Sequence, residues 1–175
     1  MKTKLSMSSG VNGVKVWSLL VGAALLAACG GGKADEPPAV CSTKSTWTNG
    51  DKGSPLMHPG GECITCHTDQ GEGPKFAIAG TVMGATDDDT NCNGVSGVTV
   101  EITDKTGQKI SLTTNAAGNF STDENGGTSV TFPITAKVIS GGKERVMTTP
   151  QTSGDCNTCH GAVGSSGAPG RLVAP

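Results

Sequence analysis

The chain reads as mainly β: a sandwich of about six short strands flanked by two segments of loop or short helix. Three observations predict this. Apolar residues recur at every second position between Phe76 and Met147. Glycine-rich turn signals divide that stretch at short intervals. The segments on either side lose the period, and each carries one Cys-x-x-Cys-His.

The strands follow in order. Phe76, Ile78, Gly80 and Val82 share one face of the first run, which includes Met83 as packing. Val98, Val100 and Ile102 form the inner face of another, Ile110 and Leu112 follow, and Val130, Phe132, Ile134, Ala136 and Val138 alternate with polar or small residues. Turns are predicted at Asn93-Gly94, Asp104-Lys105-Thr106-Gly107, Ala117-Gly118-Asn119, Asn125-Gly126-Gly127 and Gly141-Gly142. Asp87, Asp89 and Asn91 begin like a calcium loop, but Cys92 stands where that loop needs glycine and no glutamate closes it. A solvated hairpin loop is the reading there, and Lys143 and Arg145 are read as exposed strand charges.

The amino terminus has a different character. Lys2, Lys4 and Lys15 precede an apolar run from Val16 to Ala28, which at about thirteen residues is shorter than the roughly 20 that span a bilayer. This is the layout of a secretory signal. Leu26-Ala27-Ala28-Cys29 resembles a bacterial lipobox, which implies acylation of Cys29 and a membrane anchor; Gly30 after it resembles the outer-membrane class. The expected organisation is a lipoprotein signal peptide at 1–28, a tether at 29–55, a first motif segment at 56–75, the sandwich at 76–147, and a second motif segment with the tail at 148–175.

Cleavage before Cys29 leaves 147 residues with ten Lys and Arg against fifteen Asp and Glu, a formal charge of −5. That is enough chain for one domain and a modest core. An acidic chain without a basic patch excludes nucleic acid as an expected partner. The core is short of aromatics, with no Tyr, three Phe and two Trp, one of which leaves with the signal. Such a chain needs covalent staples or a cofactor.

Cysteine supplies both. Of seven cysteines, Cys29 is assigned to lipid and four to the two motifs, leaving Cys41 and Cys92 as an expected disulfide. Its loop of about 50 residues would contribute on the order of 3–4 kcal/mol. The motifs are Cys63-Ile64-Thr65-Cys66-His67 and Cys156-Asn157-Thr158-Cys159-His160. Cysteines three apart reach two positions along one porphyrin edge, and the following histidine lies beneath the ring to bind iron. Two covalent haems c are therefore expected, with Cys63, Cys66, Cys156 and Cys159 as thioether positions and His67 and His160 as proximal ligands. A tetrathiolate zinc site leaves the two histidines a coincidence, and a thioredoxin-like dithiol lacks a βαβ pattern.

Only His58 remains as a further histidine, so two bis-histidine irons are excluded within one chain. Met57 precedes the first motif and Met147 the second, each in a proline-containing loop. Met57, His58 and Met147 are the candidate distal ligands, the adjacent pair Met57 and His58 competing for one place.

The stretch Ala79-Gly80-Thr81-Val82 through Val98-Thr99-Val100 to Leu112-Thr113-Thr114-Asn115-Ala116-Ala117-Gly118-Asn119-Phe120 resembles the carboxypeptidase regulatory-like, or transthyretin-like, β-sandwich with its immunoglobulin-like architecture. With both motifs, the whole chain resembles small bacterial di-haem cytochrome lipoproteins carrying such an insertion. The resemblance implies an outer-membrane-anchored carrier of single electrons, not an enzyme, exchanging them with redox partner proteins at the periplasmic or cell-surface face. A peroxidase-like di-haem enzyme and a polymerising module that self-associates through the sandwich are the alternatives. With six strands alternating in direction, both attachment segments emerge at one pole and the haems are neighbours.

Overall fold

The computed structural model describes residues 53–71, 73–84, 94–122, 127–161 and 164–175. The expected signal peptide, Cys29, most of the tether, Cys41, Cys92 and the acidic loop at 87–93 lie outside the described residues. The described chain is mainly β, in two sheets of antiparallel strands. Strands β1 (Ala79–Thr81) and β4 (Asn119–Ser121) form one; β2 (Thr99–Thr103), β3 (Lys109–Thr113), β5 (Thr135–Ser140) and β6 (Lys143–Val146) form the other in the order β3-β2-β5-β6. Helix α1 (Cys63–Gln70) precedes the strands and α2 (Cys156–Cys159) follows them.

The two-residue period sets the core. Val100 and Ile102 of β2 face Val138 and Ala136 of β5 in register, and these join Ile78, Val82, Val98, Phe120 and Ile134 in one apolar cluster. Ile110 and Leu112 pack on it half-buried from the edge strand β3. The opposite face carries charge: Lys109, Glu101, Lys137 and Glu144 bridge all four strands, with N···O distances of 3.1, 3.6 and 3.2 Å. Exposed pairs of this kind contribute at most about 1 kcal/mol each.

The β2–β3 and β5–β6 hairpins follow their predicted turns, while Asn125 and Gly126 lie outside the described residues. Asp104 closes β2–β3, its Oδ1 accepting from Thr106 N–H, Thr106 Oγ1 and Gln108 N–H and its Oδ2 from Thr131 N–H. The Thr106 hydroxyl above all, then the Thr131, Gln108 and Thr106 amides, hold this carboxyl below the ordinary aspartate value. Gly141 and Gly142, at φ 55° and 77°, make the two-residue turn into β6.

Two predicted strands begin later than the alternation suggests. Phe76 lies before β1 and turns towards His67, 5.0 Å between ring centroids, instead of extending the strand's inner face. Val130 and Phe132 pack on the core from irregular chain. Pro133 offers no N–H to a ladder, so β5 starts at Thr135.

The segment after β6 joins the two sheets. Gln151 bridges Ile134, and Asp155 bridges Ala79 in parallel, with Ala79 N–H donating to Gly154 O at 2.9 Å. Further along β1's chain, Met83 donates to Leu172 O and accepts from Ala174 N–H. The free edge beside β1 is thus covered by the stretch that enters α2 and by the carboxyl-terminal tail.

Candidate functional site

Both Cys-x-x-Cys-His motifs fold as helical turns and both lie against β1. A methyl group on Gly80 would stand 2.8 Å from Cys156 Cβ and 2.8 Å from Phe120 Cζ, so only glycine lets α2 approach this closely. Gly154 is equally constrained, because a Cβ there would enter the Ala77 carbonyl.

The helices are bonded to each other through residues 90 and 96 positions apart in sequence. Glu62 is the N-cap of α1 but makes no side-chain cap bond. Asp155, from the other motif, supplies it: Oδ2 accepts from Thr65 N–H at 2.9 Å and from Thr65 Oγ1 at 3.1 Å. Buried Asn157 completes the joint. Its Nδ2 donates to Gly61 O at 2.6 Å and Thr81 Oγ1 at 3.2 Å, while its Oδ1 accepts from Thr81 N–H at 3.1 Å. Burial pushes the Cys63 thiol up to about 11 and that of Cys156 up to about 12, the negative charge of Asp155 adding to each. Thiols held this far above neutrality are poor nucleophiles, which argues against dithiol exchange at Cys63 or Cys156.

The second motif faces an apolar cavity of about 280 Å³. Cys156, Cys159 and His160 form one wall, the inner face of β2 and β5 another, and tail residues from Ser166 to Val173 a third. His160 Nδ1 lies 2.9 Å from Gly170 O. A carbonyl can only accept, so Nδ1 carries the proton and Nε2 keeps the lone pair a metal needs. Met147 lines the same cavity. Register explains its direction: Arg145 pairs with Val138, so Arg145 and Met147, two residues on, share the inner face. Arg145 is therefore exposed, as expected, but at the cavity wall.

The first motif is built differently. Helix α1 runs two turns and ends at Gly71, whose φ of 65° is the usual left-handed stop. His67 packs against Phe76, and its Nδ1 is buried with no hydrogen-bond partner among the described residues. Met57 and His58 lie in the turn before α1. That turn is tied to the sheet by Asn119 Nδ2, which donates to Met57 O at 2.8 Å, and by Asn115 Nδ2, which donates to Pro55 O at 2.7 Å. His58 has a left-handed backbone, φ 38°.

The sequence expectation reserved Cys66 for haem and paired only Cys41 with Cys92. Cys66 is disulfide-bonded, whereas Cys63, Cys156 and Cys159 are free. One sulfur cannot hold a disulfide and a thioether, so attachment at Cys66 requires reduction of that bond first.

The residues of the second motif fit a covalently attached haem: two free thiols, an oriented imidazole, apolar walls and a thioether share one cavity. The first offers a buried imidazole nitrogen and one free thiol. Among the described residues no three of His, Cys, Asp and Glu gather as a metal-binding group, so the four motif cysteines do not form a tetrathiolate set. Haem iron asks only one or two axial ligands of the chain.

Sequence reasoning passed over Asp155, Asn157, Gly170 and Arg171, the last buried at 8 % exposure in the cavity wall. One signal was available: Gly61-Glu62-Cys63-Ile64-Thr65-Cys66-His67 and Gly154-Asp155-Cys156-Asn157-Thr158-Cys159-His160 repeat a seven-residue pattern that begins before the first cysteine. Comparison with protein-family models, with curated proteins and with solved structures finds no match for this chain.

Proposed function

We propose that this chain is a di-haem c-type cytochrome, held to the outer membrane by a lipid on Cys29, that passes single electrons between redox partner proteins. In this reading the two sheets are a transthyretin-like sandwich serving as scaffold. The observation that carries it is the joint between the two Cys-x-x-Cys-His helices. Two attachment motifs distant in sequence are hydrogen-bonded side by side on one short strand, an arrangement suited to neighbouring redox centres.

Once attached, haem supplies a one-electron iron couple. The chain's own residues do the rest. Cys63 with Cys66 and Cys156 with Cys159 are the thioether positions. Gly170 O accepts the Nδ1 proton of His160 and so aims Nε2 at the metal position. Met147, on the wall of the same cavity as His160, would be the second residue to hold that iron, and a thioether there would raise the potential relative to a second imidazole. Met57 and His58 remain the candidates for the first. The apolar lining keeps water away from the ligands.

An optical redox titration of protein matured with a c-type assembly system tests the reading. Two covalent haems each taking up one electron reversibly, with no reaction with carbon monoxide, is the expected result. Ready carbon monoxide binding at one iron would replace the carrier reading with the enzymatic one.

A further inference from the structure

We propose that Arg145 and Arg171 form a carboxylate subsite in the cavity beside the second motif, where they receive the two propionate groups of the porphyrin. This rests on the haem reading of the second motif alone.

The thiols and the imidazole line this cavity from α2 and its C-cap. Guanidinium groups line it from two other elements. Arg171 stands on the carboxyl-terminal tail at 8 % exposure, and Arg145 is exposed on β6. The tail is fixed on both sides of Arg171: Gly170 O lies 2.9 Å from His160 Nδ1, Leu172 O accepts from Met83 N–H at 2.7 Å, and Ala174 N–H donates to Met83 O at 3.0 Å. The strap that orients the imidazole therefore also presents a cation. Two other charged side chains of the lining are engaged elsewhere. Lys137 Nζ lies 3.6 Å from Glu101 Oε1 and 3.2 Å from Glu144 Oε2, and Oδ2 of Asp155 accepts from Thr65. The arginines are permanent cations whose planar forks match carboxylates. An apolar wall screens their attraction for an anion far less than water does. A porphyrin attached by its vinyl edge carries its carboxylates on the edge away from the cysteines, so the elements that do not hold Cys156 and Cys159 are where cations are wanted.

The test is a titration of the full chain, before haem attachment, with ferric mesohaem and with its dimethyl ester, followed by Soret absorbance. Mesohaem has no vinyl groups, so neither porphyrin forms a thioether and the two differ only in their carboxylates. Wild type binds the diacid about 10- to 100-fold more tightly than the diester, the range of charge-assisted hydrogen bonds. Arg171→Met weakens the diacid, leaves the diester unchanged and so removes most of that preference. Arg171→Lys restores part of it, and Arg145→Met has a smaller effect of the same kind. Lys109→Gln, which removes a cation from the opposite face of the sheet where the side chain is 64 % exposed, keeps the wild-type preference. Equal affinities of wild type for the two porphyrins overturn the subsite, and so does a folded Arg171→Met that keeps the preference or weakens both porphyrins alike. If Arg171→Met does not fold by circular dichroism, Arg145→Met decides: a reduced preference supports the subsite, and an unchanged one overturns it. The haem peptides of the matured chain are read separately. Haem at Cys156 and Cys159 with no diacid preference overturns the subsite alone, and no haem there overturns the haem reading of this site with it.

Discussion

His160 and His67 follow the same Thr-Cys pair, yet their surroundings differ. Nδ1 of His160 lies 2.9 Å from the Gly170 carbonyl, whereas Nδ1 of His67 is buried beside Phe76 with no hydrogen-bond partner among the described residues. Around His160 the tail, the inner sheet face and Met147 enclose a cavity. Around His67 the described residues supply an aromatic neighbour and a helix whose second cysteine is in a disulfide. The difference teaches that the same Cys-x-x-Cys-His pattern leaves its histidine's orientation to an acceptor from elsewhere in the chain. The cavity beside the second motif is already enclosed by the described chain.

The largest way to break this comparison is at the distal ligand. Met147→Ala abolishes the long-wavelength sulfur-to-iron band of one oxidised haem and lowers its potential, and Met57→Ala leaves that band in place. Absorption spectra of the two variants check this. Loss of the band in Met57→Ala alone would assign the thioether to the first site.

Asn157 joins the two halves, so its loss is felt by both. Asn157→Ala removes three hydrogen bonds around Thr81 and Gly61 and leaves their partners buried, at a cost of about 1–3 kcal/mol in urea unfolding. Haem incorporation falls at both motifs, as pyridine haemochrome shows.

Two glycines allow each half to be disturbed alone. Gly80→Ala drives a methyl against Cys156 and Phe120, with an overpacking cost of about 1–3 kcal/mol and a loss of haem chiefly at the second motif. Gly73→Ala, at φ +75°, places its methyl 2.8 Å from His67 Nδ1 and costs about 1–2 kcal/mol with a loss chiefly at the first. Mass spectrometry of haem peptides separates the two.

The smallest effect lies away from both motifs. Asp104 has a folded pKa below its ordinary value, so its contribution is full above the ordinary carboxylate range and fades as pH falls through the folded pKa. Asp104→Asn is therefore less stable than wild type at neutral pH, the gap closing in acid, with the haem count unchanged. Thermal unfolding across pH measures it.

What could be read in the sequence was local. Alternation placed Val98, Val100, Ile102 and Val138 in the core, and Gly141-Gly142 between β5 and β6, because strand period and turn chemistry are set by neighbouring residues. Met147 was picked from its place before the second motif, and register puts it on the cavity face. Phe76 and Val130 followed the same alternation but lie outside the strands, since a proline and an aromatic partner outweigh two-residue periodicity. The joint made by Asp155 and Asn157 could not be read, because each bond spans most of the domain. Gly170 was hidden for another reason: its carbonyl does the work, and a backbone acceptor leaves no mark in residue identity.

The central claim is that the repeated motif carries two haems in one protein. Intact mass together with a pyridine haemochrome count, on protein matured with a c-type assembly system, tests it most directly. The account predicts two covalent haems per chain, falling to one in Cys156→Ala/Cys159→Ala and to one in Cys63→Ala/Cys66→Ala. A count of one in the wild type, or none, would contradict it.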